Sequence, residues 1–293
     1  MKGCRSPGFT LVELLVALAL GGLVLGGAVE AVGPLASRHR EADRMARLQE
    51  KAHFVLAVLE PEIQMAGYGG LRPLAGIPWA GSVPDAVRNC GFAAAIEEPA
   101  LRVDSERYPF ACPAAGGGAW PGSDALTIVR ASARSATLRA GRVQVLSSRA
   151  AGGPQSILSG GRLPDDLALR EGLHELRDFN LAGYYVSRDS DGAPGTPALR
   201  IKELIEIAGR PAIRDTEVAS GVERLHIEEG WRTTDADTGG LEFGPPGARP
   251  PLSPLAAVRV EVHLLSDGPA QARLRTVAER TFALRNLRDP SAL

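Results

Sequence analysis

Five histidines, three cysteines and 34 acidic residues are the raw material for chemistry in this 293-residue chain. Catalysis of a transfer or hydrolysis needs a nucleophile, a base and an orienting group that converge. His39 and His53 fall in a helical pattern, where packing or solvated roles are expected. His226 and His263 sit in alternating, strand-like runs, and His174 in a charged, loop-like stretch. No GxSxG elbow, HExxH pair or phosphate loop accompanies them. The run Gly116, Gly117, Gly118 lacks the lysine and hydroxyl of a nucleotide loop. Asp189 with Asp191, and Asp235 with Asp237, carry carboxylates of the kind that hold calcium, but neither pair has the length or terminal Glu of an EF-hand loop. Turn formation is the expected role for both pairs. The chain is therefore read as no enzyme, with no metal and no cofactor.

The carboxylate that does stand out is Glu13, the only charged residue between positions 9 and 29. As a helix that run would span about 30 Å, the thickness of a bilayer core. Near the helix start the macrodipole favours an anion by about 0.3–1 kcal/mol. Near the interface its cost also falls below the roughly 2.5–3.5 kcal/mol of a charge at the membrane centre. An ordinary secretory signal has its small-residue cleavage site after the apolar region. Here the junction of Gly8 and Phe9 precedes it, so cleavage there would leave the helix on the product.

The leader Ser6, Pro7, Gly8 followed by Phe9, Thr10, Leu11, Val12, Glu13, Leu14, Leu15, Val16 resembles the class III signal of type IV pilins and type II secretion pseudopilins. The resemblance implies that prepilin peptidase cuts after Gly8 and N-methylates Phe9. It also implies that Glu13 pairs with the Phe9 amine of a neighbouring subunit to set register. An unpaired carboxylate inside a filament would be costly, which is why a partner is expected. Gln64, Met65, Ala66, Gly67, Tyr68, Gly69, Gly70 resembles the helix end of the PilW family of type IV pilus assembly proteins. Ser123 with Asp124 and the residues to 129, Gly183 with Tyr184 and Tyr185, Gly221 with Val222, and the terminal Thr281, Phe282, Ala283, Leu284, Arg285, Asn286 resemble the same family in order.

The elements that must position these residues follow from periodicity. The pairs Gly21 with Gly22 and Gly26 with Gly27, and then Pro34, weaken the first helical half. Met45, Leu48, Ala52, Val55, Leu59 and Ile63 recur every three or four residues, the mark of one buried helical face. Arg44, Arg47, Glu50 and Lys51 fall opposite. Pro61 should kink or break the helix near Glu60, and the glycines around Tyr68 should end it. Strands are expected at 125–129, 136–139, 143–146, 181–187, 198–204, 217–220, 222–228, 257–265 and 274–284. The expected class is α+β, type IV pilin-like, with a long N-terminal helix packed on an antiparallel β-sheet domain. Its divisions are a leader at 1–8, an apolar helix at 9–34, an amphipathic half at 35–68, an irregular helix-to-sheet region at 69–123 containing short elements, and a β-rich domain at 124–293.

Cys4 would leave with the leader, so the exported product would hold the even pair Cys90 and Cys112 in an oxidising compartment. A disulfide between them is expected, worth about 3 kcal/mol in the chain-entropy model; two buried thiols are the alternative. Net charge is −1, which gives no electrostatic case for bulk nucleic-acid binding, and no nucleic-acid partner is expected. The resemblance implies an inner-membrane precursor with its C-terminal domain in the periplasm. It implies prepilin peptidase, other minor and major pilins and the inner-membrane assembly platform as partners, and a role in starting or capping a pilus. A J-type minor pseudopilin, and a tip pilin that binds DNA or a surface ligand, are the alternatives.

Overall fold

The computed structural model describes residues 10–74, 76–92, 100–150, 152–164, 167–233, 240–250, 253–266 and 273–287, and the side chains of 28–37 lie outside that description. Gly8, Phe9, Asp235 and Asp237 are thus outside the described residues. The chain divides into two compact units at Arg47 and Leu48. The elements in order are α1 (Leu11–Gln64), β1 (Trp79–Ala80), α2 (Asp85–Asn89), β2 (Leu101–Asp104), β3 (Ala125–Ser135), β4 (Gln144–Ser148), β5 (Ser156–Leu158), β6 (His174–Ser187), β7 (Ala198–Ile207), β8 (Arg210–Ser220), β9 (Val222–Arg232), β10 (Leu241–Gly244), β11 (Leu255–Leu265) and β12 (Arg275–Ala283). An N-terminal helix followed by a sheet-rich domain with mostly antiparallel strands is an α+β arrangement.

In the second unit α1 buries Leu48, Ala52, Val55, Leu59 and Ile63, which the periodicity marks, and Leu56, which it does not. Each large side chain so removed from water contributes about 1.5–3 kcal/mol. The helix does not break at Pro61, as expected from sequence, but continues to Gln64. A proline inside a helix costs about 3 kcal/mol through its missing N–H and the clash of its ring. Ion pairs on either side of it hold the backbone helical: Glu60 to Arg280 on β12 at 3.0 Å, and Glu62 to Arg130 on β3 at 2.5 Å and 2.8 Å. The helix stops where Gly67 takes a positive φ of 77° and donates its N–H to the Val129 carbonyl. Asn286, just past β12, donates its side-chain amide to the Gln64 carbonyl at 3.2 Å, satisfying one of the acceptors orphaned at a helix end.

Two sheets are present, where sequence suggested one. The larger has the order β1-β5-β4-β6-β3-β2, with β7 on β6 and β8 on β7; the smaller has the order β10-β9-β11-β12. The β1 and β5 pair is parallel. The larger sheet is covered on both faces. Arg130, on one face of β3, reaches α1, and by strand alternation Leu126 and Ile128 share that face. On the other face Val129, Phe179, Leu181 and Tyr185 pack with Val87, Cys90, Phe92 and Phe110 from the preceding segment. Gly183 in β6 is required by this second layer, since a Cβ there would lie 2.4 Å from the Phe110 ring. Strands covered on both sides lose alternation, and the second half of β6 is buried at every position from Leu181 to Ser187.

The sheets meet at Asp124, which is buried. It accepts hydrogen bonds from the backbone N–H of Ile227 at 2.7 Å and of Glu106 at 2.8 Å. In the smaller sheet Val258, Val260, Val262 and Leu264 face inward while Arg259, Glu261 and His263 alternate outward, as their sequence pattern requires. Residues 136–139 are not a strand; Gln144 spans that turn, accepting from the Arg139 N–H and donating to the Thr137 carbonyl. Replacing Leu59, fully buried, with Ala should lower the unfolding free energy by about 2–5 kcal/mol in urea titrations. A loss below about 1 kcal/mol would show that the helix is not seated as described.

Candidate functional site

Thr10 precedes the first helical residue, and Glu13 lies in the first turn. The Glu13 backbone N–H donates to Thr10 Oγ1 at 3.3 Å, while the Thr10 N–H and hydroxyl donate to Glu13 Oε2 at 3.0 Å and 2.9 Å. This reciprocal arrangement is a capping box, in which a Thr and a Glu three residues later satisfy each other's orphaned backbone donors. The T-x-x-E pattern was visible in the sequence and marks the helix start directly. Both bonds made by the carboxylate end on Oε2. Beyond it Leu11, Val12, Leu14, Leu15, Val16, Leu18, Leu20, Leu23, Val24 and Leu25 are all exposed. Exposed apolar side chains over so long a stretch mark an interaction surface. Among the described residues no helix is long and apolar enough to cross a membrane. The described apolar stretch, residues 11–27, amounts to about 25 Å of helix against a core of about 30 Å.

The second cluster was not anticipated. On β7 and β8, Lys202 stands opposite Asp215 and Arg200 opposite Glu217, while Tyr185 on β6 stands opposite Arg200. Lys202 and Arg200 are buried, yet both are paired: Lys202 Nζ donates to Asp215 Oδ2 at 2.6 Å, and Arg200 Nε to Asp215 Oδ1 at 2.8 Å. Arg200 also donates to Asp191 at 2.6 Å, and Tyr185 donates its hydroxyl to Asp215 at 2.6 Å. The network holds the segment after Cys112, because Lys202 donates to the Pro113 carbonyl and the Ala115 N–H donates to the Tyr185 hydroxyl. Alternating cations on one strand opposite alternating acids on the next are the sequence signal for such a row. The strand expected at 217–220 covers only the last four residues of β8, so Asp215 lies outside it.

Burial and then the neighbouring Asp215 push the Tyr185 phenol far above its ordinary range, and the same causes raise Tyr108. Burial of Asp215 would raise its carboxyl, but hydrogen bonds from Lys202, Tyr185 and Arg200 outweigh it and hold the group below the ordinary value. Burial of Arg200 is likewise outweighed by Asp191 and Asp215, and its guanidinium is stabilised as a cation. The arrangement clasps β6, β7, β8 and the segment after Cys112 together.

The remaining expected residues are placed as follows. Cys90 and Cys112 are joined as a disulfide with Cα atoms 4.4 Å apart. Asp189 accepts from the Gly195 N–H, and Asp191 pairs with Arg200, so both are spent on the turn between β6 and β7. His226 contacts Asp124 at 3.2 Å, His263 contacts Glu261 at 2.5 Å, and His174 Nδ1 accepts from the Arg170 N–H. His39 lies 3.8 Å from Asp43, and His53 is exposed on α1. Among the described residues no three His, Cys, Asp or Glu side chains are placed to hold a metal ion.

A folded-state pKa below the unfolded value gives stability that is present above the unfolded pKa, near 4 for Asp, and lost as pH falls through the folded one. Unfolding free energy should therefore decline as pH drops below about 4 on account of Asp215. Asp215→Asn should flatten that decline and cost on the order of 3 kcal/mol at pH 7, since Lys202 and Arg200 lose a buried counter-charge. Urea titrations of both proteins at pH 7 and pH 3 check both statements.

A family model described as the Prokaryotic N-terminal methylation motif matches residues 4–29. Comparison with curated proteins and with solved structures returned no match. The matched span contains Gly8, Phe9, Thr10 and Glu13, the residues of the leader junction and of the helix cap. The motif implies processing by prepilin peptidase, insertion into the inner membrane and assembly with other pilins. The N-terminal signal of this chain is that of prepilin-like substrates of prepilin peptidase in type IV pilus or pseudopilus systems.

Proposed function

We propose that the chain is a PilW-like minor pilin that helps to start or cap a type IV pilus. The observation that carries this reading is the order of the N-terminus: a glycine and phenylalanine junction, then a capped helix start, then an exposed apolar helix. Cutting after Gly8 leaves Phe9 as the first residue and keeps the helix on the product. The precursor spans the inner membrane once, with the β domain in the periplasm, and the helix later leaves lipid for the flanks of sister subunits. No catalytic step by this chain is part of the proposal.

Glu13 supplies the register. Its Oε2 is engaged by Thr10 of the same chain, and among the described residues Oε1 accepts no hydrogen bond. The Phe9 amine of an adjoining subunit is the group of opposite charge nearest in register, and pairing avoids the several kcal/mol cost of an isolated charge in an apolar filament. Asn286 supports the PilW comparison, since the terminal Arg-Asn pattern gains a physical role as the helix C-terminal cap. The J-type minor pseudopilin shares the leader, and neighbouring genes for either a pilus or a secretion machine distinguish the two.

Mass spectrometry of the exported protein should find N-methylated Phe9 as its first residue; an intact Met1 in assembled filaments contradicts the processing step. Glu13→Ala should reduce incorporation into filaments at least tenfold while the β domain keeps its disulfide and denaturation midpoint. Thr10→Ala, which removes only the hydroxyl half of the cap, should cost far less. Equal incorporation of Glu13→Ala and the parent protein sinks the register role.

A further inference from the structure

The last strand, β12, is a margin of the smaller sheet, and among the described residues it pairs with β11 alone. The other long margin, β8, carries Pro211 and has α2 against it, while β1, β2 and β10 have two to four residues each. The register of β12 on β11 is bracketed by two bonds, from the Leu284 N–H to the Ala256 carbonyl and from the Ser266 N–H to the Leu274 carbonyl. Backbone groups of antiparallel strands alternate in direction, so the even-numbered residues of β12 bond to β11. The N–H and C=O of Arg275, Val277, Glu279 and Thr281 therefore point outward, and among the described residues they have no backbone partner. Proline, short length or repelling charge protects such an edge in most sheets. β12 has nine residues and no proline, and its edge charges differ in sign: Arg275 and Glu279 flank the exposed Val277. Arg275 reaches Glu223 and Glu279 reaches Arg259, but both are solvent-accessible pairs of small worth.

We propose that the outer edge of β12 takes up an extended strand of another subunit, added antiparallel and carrying a base, an apolar residue and an acid at alternate positions from its N-terminal end. Main-chain bonds to the open edge supply affinity, and the alternate side chains supply specificity. In this register the base lies opposite Glu279, the apolar residue opposite Val277 and the acid opposite Arg275, each a favourable cross-strand pair. A slip of two residues either way sets a charge against Val277. A second copy of β12 has the same pattern, but antiparallel pairing of two such strands reverses the α1 of one copy against that of the other. Subunits delivered to one membrane by the same signal need those helices aligned. The occupant is therefore a strand of a different subunit. That identity rests on the pilin reading, whereas the open edge does not.

The test uses the full chain in neutral detergent and, as a probe with the required pattern, a labelled and capped peptide with the sequence of residues 273–281. A control peptide carries Arg275→Glu and Glu279→Arg, which keeps composition and net charge. Anisotropy should show the first peptide binding at least about fivefold more tightly than the control. A chain bearing the same two substitutions, checked by its denaturation midpoint, should reverse that preference, which a merely structural role for the two residues would not do. Amide hydrogen exchange at Val277 and Glu279 should be fast in the free chain and slow by about tenfold with the first peptide, while Ala278 and Arg280 change little. The proposal is overturned by no binding at about 1 mM peptide, a concentration that even a weak strand addition reaches, or by equal binding of the two peptides. Failure of the substituted chain to reverse the preference, or dimerisation of the parent chain through β12 without peptide, overturns it as well. The assay needs no filament, so its failure is distinct from failure of the minor-pilin reading.

Discussion

One helix is clamped across two sheets, and the rest of the β domain depends on that clamp. Glu62 grips Arg130 of the larger sheet with both oxygens, and Glu60 grips Arg280 of the smaller. Half-buried pairs of this geometry are poor sources of net stability but costly to break singly. Their effect here is positional. They fix the rotation of α1 so that Leu48, Val55, Leu59 and Ile63 face inward, and they hold the backbone helical through Pro61. The Asn286 cap then ties the last strand to the last helical carbonyls, so the C-terminal end of the domain closes on the end of its first element.

That arrangement separates two kinds of apolar surface on one helix. The second-unit part has partners within the chain. The residues from Leu11 to Leu25 have exposed side chains and a start sealed by Thr10 and Glu13. Burying a single leucine is worth about 1.5–3 kcal/mol, so a run of them is a large unsatisfied driving force, first toward lipid and then toward other subunits. The methylation motif over residues 4–29 names the machinery that handles such a segment. The other face of the larger sheet is secured by different means, a disulfide at Cys90 and Cys112 and a clasp of Lys202, Arg200 and Asp215.

Legibility in the sequence tracked how far each signal is local. The buried helical face and the apolar run follow from periodicity, β11 from its alternation, and the long strands β7, β9 and β12 from their β-type composition, all of which need only neighbouring residues. The strands β1, β2, β5 and β10 have two to four residues each, too few to show a period, and they exist because a longer strand pairs with them. Ala136 to Arg139 has strand-like composition, but Gln144 holds it as a turn, a contact invisible until the fold is known. Pro61 misled for the same reason, since its tolerance comes from arginines far along the chain. At the functional end, Glu13 was recognisable while its bond to Thr10 was a local pattern left unread.

The central claim is that the domain from Leu48 onward holds itself together, leaving the apolar N-terminal helix for partners outside the chain. Its most direct test compares the full chain with a form beginning at Leu48, by membrane fractionation and by cooperative unfolding in urea. The account predicts that the full chain fractionates with membranes, whereas the shortened form is a monodisperse soluble protein that unfolds in one transition. A shortened form that is unfolded, or that still sediments with membranes, would contradict it.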